Sequence, residues 1–404
     1  MKLALVHDYI KEYGGAERVL EALHEIWPDA PVYTSVYLPE FLGPHKERFR
    51  NWKIQTSFLQ YISFKEKLIS PFRIISPFVF KTFDLSQFDV VIVSATGAYT
   101  PNTIWCNPER SEGSRSDRDS SSVSRRTRND SKKGPIHVCY CHTPPRYLYG
   151  YATARDWKKN IVFRVLGEIA NHFLRLVEFK SAQNVDYFIA NSKNVAGRIK
   201  KFYRRDSTVI YPPVELKNQE LGIKNQGKKD YYLAGGRLAR PKNIDLIVKT
   251  FVKLGLPLKV FGRSFAGNNS LFPSTLSSGP KGMIHNSTIE FVGEVSDEEK
   301  LELMKNAKAF VFAAEDEDFG ITPVEAMSVG TPVIAYLSGG VVESIIDGKT
   351  GIFYRFNDLN HLSEAVNKFE KMKFDKETIM KYAQKFSKER FKKEIKKFVE
   401  SKLR

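Results

Sequence analysis

The stretch of residues 309–336 sets the strongest limit on what this chain can fold into. An apolar run, Ala309 to Ala314, has the length of a buried strand, and an acidic loop that ends in a glycine, Glu315 to Gly320, follows it. The segment from Thr331 to Tyr336 is apolar again and predicts a second strand. With a helix between them, the order strand, loop, helix, strand is typical of a parallel α/β sheet. Such sheets bind their ligands at the carboxyl ends of the strands, which is where this loop lies.

The helix after the loop carries its own start and stop signals. Thr322 is predicted to be its N-cap and Pro323 its first helical residue, while Gly330 ends it. Thr322 and Glu325 also have the spacing of a capping box, in which Glu325 would bond only to the N-cap amide. The helix is therefore expected, and the role of Glu325 has two interpretations.

Two carboxylates, Glu317 in the loop and Glu325 in the helix, predict a ligand that carries hydroxyl groups. A carboxylate can accept two hydrogen bonds from the vicinal diol of a sugar or a ribose. The residues between the two acids place backbone N–H groups at a helix N-terminus, which attracts phosphate, and they are Phe319, Gly320, Ile321 and Thr322. Diol acceptors beside an anion site suit a nucleotide sugar. Alternatively, Glu317 is a solvated loop acid.

The run Glu-Asp-Phe-Gly-Ile-Thr-Pro-Val-Glu-Ala-Met at 317–327 resembles the signature of the family 4 retaining glycosyltransferases. It is similar to the version found in bacterial mannosyltransferases of O-antigen and exopolysaccharide assembly. The resemblance implies the GT-B fold, an α/β architecture of two Rossmann-like domains whose parallel sheets face a central cleft. It also implies that Glu317 contacts the donor sugar and that Glu325 contacts the ribose.

Length and charge restrict the class of protein. A chain of 404 residues with 42% apolar residues predicts two domains. The formal net charge of +17 calls for an anionic membrane surface or anionic substrates, with nucleic acid as the alternative, although no zinc-finger, RRM or KH signature is present. No apolar run reaches the roughly 20 residues of a transmembrane helix, and the N-terminus reads as a strand rather than a signal peptide. Cys106, Cys139 and Cys141 form no paired framework, so a reducing cytoplasm is expected.

The N-terminal half opens with a predicted strand, Lys2 to Asp8, and a glycine turn. Gly14 and Gly15 either bring the backbone close to a phosphate or form an ordinary strand-to-helix turn. The turn resembles the glycine loop of the same family, which approaches the donor diphosphate. The family pattern places Asp8 on the acceptor side.

A histidine motif follows the predicted strand 136–141. His142 at a strand end before a proline turn either points into a cleft or is structural. The run Cys-His-Thr-Pro-Pro-Arg-Tyr resembles the motif of the mannosyltransferases, which implies that His142 lies near the donor sugar. It also implies that Arg146 and Tyr147 line the acceptor side.

The C-terminal half opens with a strand, Gly235, Gly236 and two cations. Arg237 at a strand end and Lys242 before a helix are placed to clamp a diphosphate, and exposed surface cations are the alternative. The pattern resembles the diphosphate clamp of the family. The loops after strands 258–262 and 289–295, which include Glu294, are expected to hold the nucleobase.

Four further segments complete the division of the chain. Residues 52–84 alternate aromatic and basic side chains and predict either a surface that lies on an anionic bilayer or a helical hairpin packed in the core. Residues 107–134 are polar and charged and predict a disordered insertion, with a nucleic-acid-binding tail as the alternative. The predicted boundaries are 1–213, 214–385 and a C-terminal helix, 386–404, that packs back on the N-terminal domain.

These motifs together predict a retaining hexosyltransferase, with mannose from GDP-mannose as the expected sugar and a lipid-linked or growing polysaccharide as the acceptor. It is expected to work without a metal or other cofactor, since no Asp-x-Asp motif is evident, and to lie peripherally on the inner face of the cell membrane. No nucleic-acid partner is expected. The alternatives are another GT-B enzyme, such as an epimerase or phosphorylase, and a basic nucleic-acid-binding protein.

Overall fold

The computed structural model describes residues 1–104, 134–153, 161–216, 230–262 and 288–403, with only the backbone of Val162 and Phe163. Cys106 and almost all of the predicted insertion at 107–134 lie outside these residues. The chain forms two compact units. Unit 1 comprises Met1–Tyr149, Val165–Asn191 and Val195–Ile210, and unit 2 comprises Gly150–Arg164, Ser192–Asn194 and Tyr211–Arg404.

Unit 1 is built on a parallel sheet of seven strands in the order β3-β2-β1-β4-β5-β6-β7. Its elements are β1 (Leu3–His7), α1 (Gly15–Ile26), β2 (Val32–Thr34), β3 (Ile54–Thr56), α2 (Lys65–Leu68), α3 (Ser76–Lys81), β4 (Val90–Ala95), β5 (Ile136–Cys141), α4 (Ile161–Gln183), β6 (Tyr187–Ala190), α5 (Lys193–Tyr203) and β7 (Ser207–Val209). The central strands β1 and β4 are buried along their whole length, as their apolar sequences predict for a parallel sheet covered on both faces.

Unit 2 contains a parallel sheet of six strands in the order β10-β9-β8-β11-β12-β13. Its elements are β8 (Tyr231–Gly235), α6 (Ile244–Leu254), β9 (Leu258–Phe261), β10 (Ile289–Gly293), α7 (Asp297–Asn306), β11 (Ala307–Phe312), α8 (Ile321–Ser328), β12 (Val333–Tyr336), β13 (Gly351–Tyr354), α9 (Leu359–Phe369), α10 (Lys376–Ala383) and α11 (Lys388–Leu403). Helix α11 belongs to this unit, and its predicted packing on the N-terminal domain stays a prediction.

Both sheets reverse their strand order once. In unit 1 the chain moves outward from β1 through β2 to β3 and then returns to β4 on the other side of β1. In unit 2 the same reversal separates β8 from β11. The loops that leave the carboxyl ends of the two strands at such a point diverge and open a crevice, which is where ligands bind in open α/β sheets.

Bilayer contact stays a prediction for the basic aromatic segment 52–84, but the other alternative, a helical hairpin, is wrong for this segment. It consists of β3, the short helices α2 and α3 and several 3₁₀ turns rather than a helical hairpin. Phe72, Val79 and Phe80 are buried in the core of unit 1, whereas Tyr61, Phe64 and Phe78 are exposed. No helix among the described residues is both long and apolar enough to cross a membrane.

Candidate active site

In unit 2, glycines allow the backbone segments that follow β8 and β9 to approach each other closely at the reversal point. A Cβ added to Gly262, after β9, would lie 1.8 Å from the carbonyl oxygen of Gly236, which follows β8. The φ angle of +126° at Gly262 also favours glycine. A Cβ on Gly236 would lie 3.8 Å from Oγ1 of Thr322 in α8. The end of β8 therefore lies directly beside the first turn of α8.

Lys242 and Glu317 form an ion pair at this place. Nζ of Lys242 donates to Oε2 of Glu317 at 2.7 Å and lies 4.8 Å from the ring centroid of Phe312, the last residue of β11. Both charged side chains are 22% exposed, so the pair is within reach of solvent and of a ligand. Glu317 is thus positioned by a cation rather than simply solvated. The predicted diphosphate cation and the predicted sugar-binding acid lie together.

The acidic loop after β11 is held by backbone contacts that leave no room for side chains. The N–H of Gly340 donates to the carbonyl of Glu317 at 2.7 Å. A Cβ on Gly339 would lie 2.4 Å from that carbonyl oxygen, and one on Gly340 would lie 2.1 Å from the carbonyl oxygen of Asp318. These two glycines therefore fix the path of the loop.

Two asparagine amides hold the start of the same loop. Nδ2 of Asn243 and Nδ2 of Asn357 each donate to Oε1 of Glu315 at 3.2 Å and also to the carbonyl of Ala313. Asn243 immediately follows Lys242, so the residue that fixes the loop is adjacent in the chain to the one that pairs with Glu317. The carboxylate of Glu317 is positioned before any ligand binds.

Helix α8 begins two residues earlier than predicted, at Ile321 instead of Pro323. Gly320, with φ +89°, is its N-cap and makes no side-chain cap bond, so the prediction of Thr322 as N-cap and Pro323 as first helical residue was wrong. The left-handed backbone of Gly320 turns the chain into the helix at Ile321, and Pro323 still lies in the first turn, where it costs no hydrogen bond. The capping box predicted as an alternative is absent.

Glu325 is instead buried against a cation from α7. Its Oε1 accepts from Nζ of Lys300 at 2.8 Å, and that ammonium group also donates to Asp297 at 2.9 Å. The Glu325 side chain is 7% exposed and that of Lys300 is 12% exposed. A ribose diol would therefore meet a carboxylate whose charge is already partly neutralised.

The remaining predicted residues of unit 2 differ in exposure. Arg237, two residues after β8, and Glu294, directly after β10, are exposed at the carboxyl edge of the sheet. The ring of Phe319 is buried against Tyr211 and Phe386, so it anchors the loop, and only its backbone can serve the predicted phosphate site.

In unit 1, three strands at the reversal point contribute a buried polar chain. Nδ1 of His7 lies 3.2 Å from Oγ of Ser94, and Nε2 of His142 lies 2.9 Å from the same oxygen. Burial, with a smaller contribution from His7, lowers the pKa of His142 to about 3, so its imidazole is neutral at physiological pH. Glu17 of α1 extends the chain, with Oε1 3.6 Å from Nε2 of His7.

The role predicted for the glycine turn is weakened by Glu17. Its Oε2 accepts from the backbone N–H of Gly14 at 2.8 Å, which forms the N-terminal cap of α1. That N–H is therefore satisfied within the protein. Gly15 is exposed and remains the part of the turn that a phosphate can approach.

Asp8 is completely buried directly after β1. Its Oδ2 accepts from the Thr96 hydroxyl and from the backbone N–H groups of Ala98 and Tyr99, each at 3.1 Å, while Oδ1 has no hydrogen-bond partner among the described residues. Burial raises the pKa of Asp8 above its ordinary value. A buried carboxylate oxygen with spare acceptor capacity is suited to a hydroxyl of a bound molecule.

Arg146 and Tyr147 were predicted for the acceptor side, and the buried Glu178 was missed. Tyr147 has a buried hydroxyl without a described hydrogen-bond partner, and the Arg73 guanidinium lies 4.7 Å from its ring, whereas Arg146 is partly exposed. Glu178 of α4, not predicted, is buried and accepts from the Tyr203 hydroxyl at 2.7 Å. Desolvation raises its pKa to about 7, and the charge of Asp8 adds to the shift.

The structure thus forms two groups of site residues, one in each unit. Lys242 and Glu317 share an ion pair beside the N-terminus of α8, and Asp8 and His142 follow β1 and β5, the strands on either side of β4. The polar residues missed from the sequence are His7, Glu17, Ser94, Glu178 and Lys300. A histidine in the strand Leu3–His7 and a serine in the strand Val90–Ala95 interrupt otherwise apolar sequences. These were the only signals that could have revealed the buried group of polar residues around His142.

Residues 217–389 match the family model described as "Glycosyl transferases group 1". Among curated proteins, the chain is 29% identical over 253 residues to the alpha-1,3/1,6-mannosyltransferase ALG2 of Mus musculus, covering 57% of this chain and 58% of that protein. It is 31% identical over 128 residues to the mannosylfructose-phosphate synthase of Agrobacterium fabrum, covering 30% and 28%. The chain therefore matches little more than half of the length of the mouse relative.

Solved structures share the fold over the whole chain. The lipopolysaccharide outer core galactosyltransferase WaaB aligns with a TM-score of 0.63 at 16% identity, covering all of both chains. The sucrose-phosphate synthase of Thermosynechococcus elongatus aligns with a TM-score of 0.65 at 15% identity, covering 100% of this chain and 99% of that one. The predicted α/β architecture of two parallel sheets with helices, as in GT-B proteins, is confirmed.

Proposed function

We propose that this chain, which has the GT-B fold and carries a group 1 glycosyl transferase segment at 217–389, is a retaining hexosyltransferase. The donor is a nucleotide sugar, with GDP-mannose as the specific proposal. The acceptor is a lipid-linked or growing cell-surface polysaccharide, as in O-antigen or exopolysaccharide assembly. The mannosyltransferase and mannosylfructose-phosphate synthase relatives support mannose as the sugar.

One observation carries the proposal: the Lys242–Glu317 pair lies beside the N-terminus of α8 at the reversal point of the second sheet. A helix N-terminus with a lysine and a nearby exposed arginine suits a diphosphate, while the adjacent carboxylate accepts sugar hydroxyls. Glu325, farther along α8, is the proposed ribose contact. Glu294, exposed beyond β10, is proposed to border the nucleobase.

The proposed reaction keeps the anomeric configuration without a protein nucleophile. The bond from the sugar C1 to the diphosphate oxygen breaks, a bond from C1 to the acceptor oxygen forms on the same face, and the acceptor proton passes to the leaving diphosphate. Lys242 and Arg237 stabilise the charge that develops on that diphosphate, which is the kind of electrostatic effect that usually contributes most to the rate. Asp8, His142, Arg146 and Tyr147 are proposed to orient the sugars.

Metal independence is part of the proposal. Within the described ranges, no group of three or more His, Cys, Asp or Glu side chains is arranged to hold a metal ion. We expect EDTA to leave the transfer rate unchanged. A loss of activity that Mg²⁺ or Mn²⁺ restores would contradict this part.

Binding of the donor tests the proposal first. The melting temperature is measured with GDP-mannose, UDP-glucose and ADP-glucose, because a ligand at 100 times its Kd stabilises the native state by about 2.7 kcal/mol. We expect GDP-mannose to raise the melting temperature most. A larger shift with UDP-glucose or ADP-glucose would change the proposed donor, and no shift with any nucleotide sugar would refute the glycosyltransferase proposal.

A matched pair of variants tests the site. Lys242→Met removes a lysine that pairs with a glutamate at 2.7 Å and lies over an aromatic ring. Lys308→Met removes a lysine with similar surroundings, paired with Glu370 at 3.0 Å and lying over Tyr232, but located at the amino end of β11, opposite the end that carries the acid loop. We expect only Lys242→Met to abolish the donor-induced shift. Equal shifts in the two variants would exclude Lys242 from the donor site.

The protein is proposed to act peripherally on the inner face of the cell membrane. The net charge of +17 and the exposed aromatic side chains Tyr61, Phe64 and Phe78 of the segment 52–84 support contact with an anionic lipid surface.

An epimerase would convert the nucleotide sugar without an acceptor, so product analysis of acceptor-free incubations separates that alternative.

A further inference from the structure

Helix α4 exposes an apolar face. Six of its side chains between residues 165 and 179 are large, apolar and 37% to 62% exposed: Val165, Leu166, Ile169, Phe173, Leu176 and Phe179. At 3.6 residues per turn these positions fall within an arc of about 140° along one side of the helix. An apolar stripe of this width normally faces a protein core.

The opposite side of α4 faces the core of unit 1 and holds three polar side chains beside Leu174 and Ala182. Asn171, Glu178 and Ser181 are buried there, and Nδ2 of Asn171 has no hydrogen-bond partner among the described residues. Most of the large apolar side chains of α4 therefore lie on its exposed side, which is unusual for a surface helix. A contiguous apolar surface of this kind on a folded protein marks a contact with a partner or a membrane.

The charges on α4 favour an anionic lipid surface over a second copy of the chain. Arg164 and Lys180, near the two ends of the stripe, are exposed. Of the two acids in the helix, Glu178 is buried and Glu168 lies 4.0 Å from Arg175. Two copies of α4 packed in parallel or antiparallel would bring these like charges together, whereas anionic headgroups would neutralise them. Basic residues flanking an apolar face are typical of helices that lie in a membrane interface.

Helix α4 and the segment 52–84 both contact the loop after β5. The Arg175 guanidinium donates to the carbonyl of Leu148 at 3.0 Å, and the neighbouring Tyr147 stacks with Arg73. Ile74, the next residue, is 58% exposed. One loop of unit 1 therefore contacts both α4 and the segment 52–84.

We propose that α4 lies in the plane of an anionic bilayer, with Phe173 and Leu176 inserted among the acyl chains and Lys180 at the headgroups. The inference extends the proposed function by naming the surface that holds the enzyme at its lipid-linked acceptor. Lipid binding needs neither donor nor acceptor. The test of lipid binding can therefore fail while nucleotide-sugar binding is observed, and nucleotide-sugar binding can fail while lipid binding is observed.

The experiment measures sedimentation of the full chain with vesicles of phosphatidylcholine alone and with about one third phosphatidylglycerol, which sets a negative surface potential. We expect binding to the anionic vesicles and at least about tenfold weaker partitioning of Phe173→Glu and of Leu176→Glu. Lys180→Glu should weaken binding to anionic vesicles and have little effect on neutral ones.

Two controls match these changes. Phe356→Glu replaces a phenylalanine of unit 2 that is 61% exposed, against 62% for Phe173, and should bind as the parent does. Phe78→Glu makes the same change in the segment 52–84. If Phe78→Glu abolishes binding and Phe173→Glu does not, the contact is that segment and the proposal for α4 is overturned.

Two other outcomes would also overturn it. Equal binding of the parent and both α4 variants to anionic vesicles excludes the helix as the contact. A dimer in light scattering that Phe173→Glu dissociates, without vesicle binding, assigns the stripe to a second copy. Circular dichroism of each variant confirms that the chain is folded, which is expected because the substituted side chains are exposed.

Discussion

Replacing Glu178 with glutamine should stabilise the protein, and by an amount that depends on pH. Glu178 is 3% exposed, and burial raises its pKa from 4.5 to about 7. Between these values the folded state binds more protons than the unfolded state. The contribution of Glu178 to stability is therefore greatest below pH 4.5 and is lost as the pH rises through 7. Glutamine keeps an acceptor for the Tyr203 hydroxyl and carries no charge at any pH.

The size of the effect follows from the width of this window. One pKa unit corresponds to about 1.4 kcal/mol, so the raised pKa of Glu178 destabilises the native state relative to the unfolded state by about 3 kcal/mol at pH 8 and about 1 kcal/mol at pH 5. Glu178→Gln removes this cost. For a cooperative unit of this size, about 3 kcal/mol corresponds to a rise in melting temperature of roughly 6 to 12 °C at pH 8.

Urea unfolding of Glu178→Gln and the parent at pH 5 and pH 8 measures the difference. Glu40→Gln, an exposed glutamate of unit 1, controls for the change in net charge and should behave alike at both pH values. If Glu178→Gln gains the same stability at pH 5 and pH 8, or loses stability at both, the inference that a buried charge on Glu178 destabilises the native state is refuted.

Three other perturbations test the site. The pKa of His142 is lowered to about 3, so its burial makes the free energy of unfolding fall as the pH drops below 6.5. His142→Gln should remove this part of the pH dependence, which is up to about 1.4 kcal/mol per pH unit, in urea titrations from pH 7 to 4. Lys300→Met leaves the Glu325 carboxylate buried without its cation and should cost about 3–5 kcal/mol, most of which Glu325→Gln in the same chain should recover; additive losses would contradict the pairing. Gly262→Ala should prevent folding or cost more than about 3 kcal/mol, because its Cβ would lie 1.8 Å from a carbonyl oxygen, whereas Gly255→Ala, in open space at φ +64°, should cost about 1–2 kcal/mol in thermal melts.

Local patterns were enough to predict much of the fold. The apolar run 309–314 predicted a buried parallel strand, the strand 136–141 was predicted with the bounds of β5, and the segment from Lys2 to Asp8 predicted β1 to within one residue at each end. The start of α8 could not be read in the same way. A threonine before a proline is a common N-cap, but the left-handed backbone of Gly320 takes precedence, and φ angles are not visible in a sequence.

Partners across strands and helices were not predictable. Ser94 lies 87 residues from His7 and 48 from His142, and only the order of the strands brings the three together. Lys300 meets Glu325 because α7 and α8 pack side by side, which spacing alone does not reveal. The acid loop was recognised because its residues are consecutive, whereas the cluster around Asp8 draws on separate parts of the chain.

The paired asparagines at the base of the acid loop have a thermodynamic consequence. Asn243 and Asn357 hold Glu315 in place in the unliganded protein. The conformational entropy cost of ordering this loop therefore arises when the chain folds and not when a ligand binds. Calorimetric titration with a nucleotide sugar should accordingly give a heat capacity change that reflects little beyond the apolar surface covered by the ligand itself.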